Sequence, residues 1–380
     1  VFTEQAGVPL QQVQPEMHYR PELVDLSCES DPASAVEKWI LQRCRLNFDL
    51  GTRCFDSALI RTGPASFIWY LNQHHLTMDA WSTSVVYAKL AGIYARLRTG
   101  ALQADETMPA YADYLAYERG LRGTQPHSSA TAYWQALAAR PSPRVCLYGR
   151  KPAMRANRSE RLECPVGVER SQALRELAQT PGIRTLSLDL SLFNLFATVL
   201  FAYLWRVSGS TTQLIGTPAH NRSSLVFKET VGLFIELFPL RVELDEAESF
   251  RSLLGKVGTE SQAYLRNALP GTSSAAGMRL FNVVMNYIHA SFEAFNGIPM
   301  QAKWIHTGNS DPEHDLRLQL HDFGDSGDIV ACFDFNCSTF SAEIRQRAAH
   351  HFLHLLDACL ADPDQPIGQV NLTDDEERAD

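Results

Sequence analysis

At 380 residues and 45% hydrophobic, the chain is more than twice the ~150 residues of an average domain, which excludes a small binding module and leaves room for two cores or one large one. The 34 Lys and Arg against 43 Asp and Glu give a formal net charge of -9, with neither sign gathered into long runs. A surface that reads nucleic acid carries a basic excess; this chain has none, so no nucleic-acid partner is expected.

The eight cysteines, at 28, 44, 54, 146, 164, 332, 337 and 359, form no Cys-x-x-Cys pair and no dense framework, the usage of reduced thiols in a cytoplasmic protein. The most apolar stretch, 188–207, includes Asp189, Asn194 and Arg206. Its uninterrupted apolar core is short for a ~20-residue span, so a buried helix and no membrane are expected. The chain opens at Val1 without an initiator Met and without a basic-then-apolar leader, as if it began inside a longer polypeptide.

In chain order, Ala35, Val36, Trp39 and Ile40 share one face of a helix over 34–44. Short aromatic and β-branched runs at 54–60 and 66–73, parted by Gly63-Pro64, predict consecutive strands joined by a turn. Val86, Leu90, Ile93 and Leu97 then set a helix over 81–98. Glycines and prolines punctuate 119–156, with one helix expected at 130–139 and a lobe boundary near 150. Helices follow at 168–179 and 190–207, strands at 213–218, 236–244, 280–288, 316–321 and 329–335, and a last helix at 341–360. The order predicts an α/β chain in two similarly built parts, 1–150 and 151–370, followed by an acidic, solvated linker at 371–380.

The sharpest chemistry lies at 72–82, Asn-Gln-His-His-Leu-Thr-Met-Asp-Ala-Trp-Ser. Adjacent side chains of an extended segment point to opposite faces, so His74 and His75 cannot share one cavity; one is expected to be structural and one available. Asp79 stands where an N-cap or an ion pair would pin the turn, and the first N–H groups of the helix could face a developing negative charge. The bland alternative makes both histidines satisfied interior residues and Asp79 a simple cap. His350 and His354 have the i,i+4 spacing of two metal ligands, but no third ligand is evident, so a polar helix face and no metal are expected. No nucleophile elbow, phosphate loop or dinucleotide fingerprint is present, so no bound nucleotide is expected.

His74-His75-Leu76-Thr77-Met78-Asp79-Ala80-Trp81-Ser82 resembles the His-His-x-x-x-Asp-Gly-x-Ser core motif of condensation domains of nonribosomal peptide synthetases. Three further stretches fall in that family's order. Tyr111-Ala112-Asp113-Tyr114-Leu115-Ala116-Tyr117 resembles its Tyr-x-Asp-Tyr-Ala-x-Trp motif, and 231–241, Val-Gly-Leu-Phe-Ile-Glu-Leu-Phe-Pro-Leu-Arg, its Val-Gly-Phe-Phe-Val-Asn-Thr-x-x-x-Arg motif; Phe48-Asp49-Leu50 also fits. The chain departs from the family in four ways. Its first motif and nearly all of its second would lie before Val1, taking the opening strand and helix of the N-terminal lobe with them. Ala80 replaces the usual Gly, Ser57 stands about where the family has the Arg that pairs with the motif aspartate, with Arg53 and Arg61 as nearby substitutes, and Glu236 stands in the usual Asn position.

The resemblance implies two chloramphenicol-acetyltransferase-like lobes in a V-shaped pseudo-dimer. It implies an acyltransferase that moves a donor acyl or peptidyl thioester to an acceptor amine, or to an alcohol. Both substrates would arrive on the phosphopantetheine arms of donor and acceptor carrier proteins within a synthetase, so the domain, expected as a monomeric module beside neighbouring synthetase domains, needs no cofactor of its own. His75 is implied as the catalytic residue, with His74, Asp79, Ala80, Trp81 and Ser82 supporting it. A silent platform for carrier proteins or tailoring enzymes is the binding-module alternative, and an epimerisation domain the enzymatic one. Heterocyclisation domains, with aspartates for both histidines, do not match.

Overall fold

A computed structural model describes residues 1–14, 16–101, 107–141, 144–150, 156–276, 280–292, 294–323 and 327–373. The described chain forms two compact units, Val1–Thr83 with Val231–Leu233, and Ser84–Thr230 with Phe234–Asp380. That parting falls at Thr83, a different place from the lobe boundary expected near 150. Most of the acidic stretch, 374–380, lies outside the described residues.

The first unit opens with a hairpin the sequence reading did not anticipate, β1 (Phe2–Gln5) and β2 (Val8–Gln11). Its two-residue turn holds Ala6 at φ 51° and Gly7 at φ 78°, the doubly left-handed geometry that a tight hairpin needs and that glycine supplies without strain. β3 (Glu22–Asp25), α1 (Pro32–Arg43), β4 (Phe55–Arg61) and β5 (Phe67–Gln73) follow. β3 runs parallel to β4, and β5 antiparallel to it. The Asp31 carboxylate accepts the Ser34 N–H at 3.1 Å and Pro32 starts α1, a cap followed by a residue whose missing N–H costs nothing there. The helix lays Val36, Trp39 and Ile40 on the sheet face made by Ala58, Ile60 and Tyr70, the small core of this unit. α2 (Ala80–Thr99) leaves the end of that sheet through the His74 to Asp79 turn.

The second unit continues with α3 (Tyr111–Leu121), α4 (Gln125–Ala138), β6 (Ser159–Pro165), α5 (Val168–Ala178), α6 (Leu188–Ser208), β7 (Thr212–Ala219), α7 (Leu225–Glu229) and β8 (Glu236–Glu243). It ends with α8 (Phe250–Asn267), β9 (Val283–His289), β10 (Leu316–Asp322), β11 (Val330–Asn336) and α9 (Ala342–Ala361). One six-stranded mixed sheet, in the order β6-β11-β10-β9-β7-β8, carries residues of α4, α5, α6, α8 and α9 packed on one face. Only Gly216 and Val284 pair β7 with β9, and a Cβ on Gly216 would lie 2.2 Å from the Phe281 ring, so only glycine fits there.

α6 is the axis of that core. By length and hydropathy it could cross a membrane, but every residue from Asn194 to Leu204 is buried inside the unit, as the interrupting polar residues had suggested. Its one buried amide is satisfied, the Asn194 side-chain oxygen accepting from the Ser261 hydroxyl at 2.7 Å. Each large apolar side chain so buried contributes roughly 1.5–3 kcal/mol. Ser187 caps its start, and Gly209 at φ 71° ends it.

Further elements were misjudged or missed. The helix expected at 130–139 begins at Gln125, because Thr124 caps it and Pro126 sits in the first turn, where proline starts a helix instead of breaking one. α8 was missed although Phe250, Leu253, Val257, Ser261 and Tyr264 line its buried face and Ser249 with Ser252 forms a capping box. β6 was missed because its polar Arg161 and Glu163 alternate with Leu162 and Cys164 at the edge of a sheet with one polar face.

Candidate active site

β5 ends at Gln73, and the chain turns at once: the His74 carbonyl accepts the Thr77 N–H at 3.0 Å and the Thr77 hydroxyl at 2.8 Å. The two histidines do differ, but the turn causes it; strand alternation does not, because the segment is no longer extended after Gln73. His74 is half-buried. Its N–H donates to the Cys54 carbonyl at 2.8 Å, its Nδ1 accepts the Leu76 N–H at 3.2 Å, and its ring meets the edge of Phe48 at 6.1 Å. Burial first, and then the neighbouring His75, hold its pKa below the ordinary histidine range, so the ring is neutral at neutral pH. His75 is exposed, with no hydrogen bond to any described residue.

Asp79 fixes the other end of the turn. It is buried, and its Oδ1 accepts the Ser82 N–H at 2.8 Å and lies 2.9 Å from the Ser82 hydroxyl, the N-cap geometry on α2. Ser82, fully buried, reaches further, with its hydroxyl 2.7 Å from the Gly232 carbonyl and 3.0 Å from the Gly232 N–H. The Asp79 N–H points at the same carbonyl at 3.3 Å. Two motifs 150 residues apart are thereby stitched together, and Gly232 is the contact that sequence reasoning quoted without giving it a role. Ala80 opens α2 and is not among the residues at positive φ, so the methyl group in place of the family's glycine brings no backbone strain. Trp81, beside it on the first turn, is exposed.

The residues considered as partners of Asp79 are engaged elsewhere. Arg53 donates to the Phe55 carbonyl at 2.7 Å and covers the Tyr19 ring at 4.8 Å; Arg61 donates to the Gly63 carbonyl at 3.2 Å and pairs with Asp25 at 3.4 Å. Ser57 exchanges two hydrogen bonds with the Tyr19 hydroxyl and accepts from Trp69 Nε1 at 2.9 Å.

Within the second unit, Tyr111 and Tyr114 pack with Phe227 and Phe234 in a small aromatic cluster, bringing the tyrosine motif to the downstream part of the glycine motif. Glu236 is a structural acceptor there: it takes the Asn221 amide at 3.0 Å, the Gly271 N–H at 2.7 Å and the Ser273 N–H at 3.2 Å. His350 and His354 lie 6.2 Å apart on α9, and no group of three metal-binding side chains occurs among the described residues.

The turn therefore leaves the His75 imidazole exposed beside a buried aspartate that caps the helix. The family model of the condensation domain matches residues 1–380, and the chain belongs to this family. It is 26% identical over 99% of its length to one of the linear gramicidin synthase polypeptides of Brevibacillus parabrevis, and 24% identical over 99% to the dimodular nonribosomal peptide synthase of Bacillus subtilis. The chain spans only 5% of the first and 16% of the second. Among solved structures, the first condensation domain of the calcium-dependent antibiotic synthetase matches with a TM-score of 0.80 at 20% identity, covering 98% of this chain and 86% of that one. The starter condensation domain of rhizomide synthetase matches with a TM-score of 0.84 at 22% identity, covering 98% and 84%. These matches establish the mixed α/β fold as that of condensation domains.

Proposed function

We propose that the chain is an active acyltransferase that joins a carrier-bound acyl or peptidyl thioester to an acceptor amine, or to an alcohol, with His75 as the catalytic residue. The observation that carries this is the exposed, unbonded His75 ring on a turn that Asp79, Ser82 and Gly232 anchor from within. The acceptor nitrogen attacks the thioester carbon, the C–N bond forms as the C–S bond breaks, and the departing pantetheine thiolate takes up the proton the nitrogen loses. An α-amine with a pKa of ~7.7 is roughly one-sixth neutral at pH 7, so His75 has mainly to receive a proton as the adduct forms and to hold the nucleophile in place. An alcohol is almost wholly protonated and depends more on the base. His74, Asp79, Ala80, Trp81 and Ser82 act as support.

Donor and acceptor carrier proteins are the partners, their phosphopantetheine arms carry both substrates, and the domain uses no cofactor of its own. It works as a cytoplasmic, monomeric part of a synthetase, with its lobe boundary near residue 150 and an acidic linker from 371. The test is intact-mass detection of a donor acyl group moving from one loaded carrier protein to another on addition of this chain. Transfer that survives His75→Ala at the full rate removes His75 from the chemistry; no transfer by the wild type, with carrier binding retained, leaves the silent platform.

A further inference from the structure

His75 makes no hydrogen bond to any described residue, so where its ring stands is set by the backbone of the turn that carries it. That turn, His74 to Asp79, has one foot on β5 and the other on α2. Each foot is tied separately to its surroundings: the His74 N–H donates to the Cys54 carbonyl at 2.8 Å, and the Asp79 carboxylate accepts the Ser82 N–H at 2.8 Å. A side-chain bond joins the feet to each other. Gln73, the last residue of β5, donates its Nε2 to the Thr83 hydroxyl at 2.5 Å, ten residues on. The same hydroxyl donates to the Asp79 carbonyl at 3.4 Å, and that carbonyl also accepts the Thr83 N–H at 3.2 Å. A path from strand to helix thus runs through Gln73, Thr83 and Asp79 across the base of the turn.

The other half of the Gln73 amide is unused. Its Oε1 is buried and has no hydrogen-bond partner among the described residues. A buried acceptor left unpaired costs more than one neutral hydrogen bond returns, so an apolar side chain of similar length, such as methionine, would serve the fold as well or better. The strand itself calls for no amide there, being aromatic and aliphatic from Phe67 to Leu71. What glutamine adds over methionine at this position is the bond to Thr83.

We propose that Gln73 and Thr83 are positioning residues for acyl transfer, their bond fixing the separation of β5 from α2 and, through it, the reach of the His75 imidazole toward the reacting thioester. Neither side chain has to touch substrate. A misplacement of about 1 Å at a reacting group is enough to lower a rate ~10²-fold, so a loosened base is felt at the ring. This assignment rests on the acyl-transfer reading above, and its test therefore includes a measurement that needs no turnover.

Gln73→Met, Thr83→Val, Thr83→Ser and the Gln73→Met/Thr83→Val double variant are compared with wild type in carrier-to-carrier transfer, in melting and in amide exchange of the turn with no substrate present. In Gln73→Met, kcat should fall ~10-fold or more while KM for either loaded carrier stays within about twofold, and melting should come at or above the wild-type temperature. Thr83→Val should lose a similar factor, and the double variant no more than either alone, because both changes remove one bond. Thr83→Ser keeps the hydroxyl and should stay within about twofold of wild type. Exchange at Leu76, Thr77 and Asp79, whose N–H groups bond within or beside the turn, should quicken in Gln73→Met. An unchanged kcat in Gln73→Met overturns the proposal, and a melting temperature that falls along with kcat makes the pair structural and overturns it too. So do losses that multiply in the double variant, a Thr83→Ser rate as low as that of Thr83→Val, or a fall in kcat with no change in exchange. A wild type that transfers nothing, while exchange in the turn still quickens in Gln73→Met, strikes the acyl-transfer reading and leaves the tie as what holds His75 in place.

Discussion

The chain contains the same arrangement twice. β3 lies parallel to β4 and β4 antiparallel to β5, and a turn then leads into the 20-residue α2; β9 lies parallel to β10 and β10 antiparallel to β11, and a turn then leads into the 20-residue α9. The turns differ in what they leave unused. After β11, Asn336 donates its side-chain amide to the Ala156 carbonyl at 2.8 Å and accepts the Ser338 N–H at 2.9 Å, while the Thr339 hydroxyl donates to Asp315 at 2.7 Å. That turn is closed by its own side chains. After β5, the anchoring is equally thorough at Asp79 and Ser82, yet the His75 ring stays outside the network. The same backbone device closes on its own side chains in one unit and leaves an imidazole exposed in the other.

The largest effect that sharpens this contrast is on chemistry. His75→Ala should lower transfer to an alcohol acceptor by most of the ~10²–10⁴-fold that acid–base catalysis supplies, and transfer to an amine by less. Ser338→Ala in the matching turn should leave both rates within about twofold, because Ser338 uses only its backbone N–H there. Product followed by mass for matched acceptors decides it; equal proportional losses for the two acceptors would make His75 a positioning group.

Next in size is the response to acid. His74 in the first unit and His321 in the second both have pKa values lowered by burial, His321 to about 4. With the folded value below the unfolded value of 6.5, the unfolded chain takes up the proton first, so stability is full above 6.5 and falls as the pH drops toward 4. For His321 alone the loss across that window is about 3 kcal/mol. Urea midpoints between pH 7 and 4 should show this fall, with a shallower slope in His321→Gln; an unchanged slope would contradict it.

Both anchors should matter to stability alike. Ser82→Ala and Asn336→Ala each strip partners from buried groups and should cost about 1–3 kcal/mol in denaturant unfolding. A cost at Asn336 with none at Ser82 would break the parallel between the turns. The smallest expected change is at Ala80. Restoring the family's glycine at this first helical position should lower stability by no more than about 1 kcal/mol, read as a melting shift, and leave the rate within about twofold.

Much of this was legible beforehand because it rested on strong local pattern. The aromatic strand ending at Gln73, the capping aspartate and the apolar run of α6 each state their structure within a dozen residues. What escaped depended on distance. Nothing local to Ser82 says that its hydroxyl meets Gly232. The alternation argument for the two histidines does not apply, because a carbonyl accepting two bonds from Thr77 bends the chain directly after Gln73.

The single pairing of Gly216 with Val284 makes the large sheet two ribbons, β6-β11-β10-β9 on one side and the β7-β8 hairpin on the other. Backbone hydrogen bonding scarcely crosses that seam, so the Phe281 ring, lodged where a side chain at 216 would be, acts as its plug. A sheet built this way has a preferred line of parting. Amide exchange should therefore release the hairpin strands as one cooperative body, before the four strands beside them.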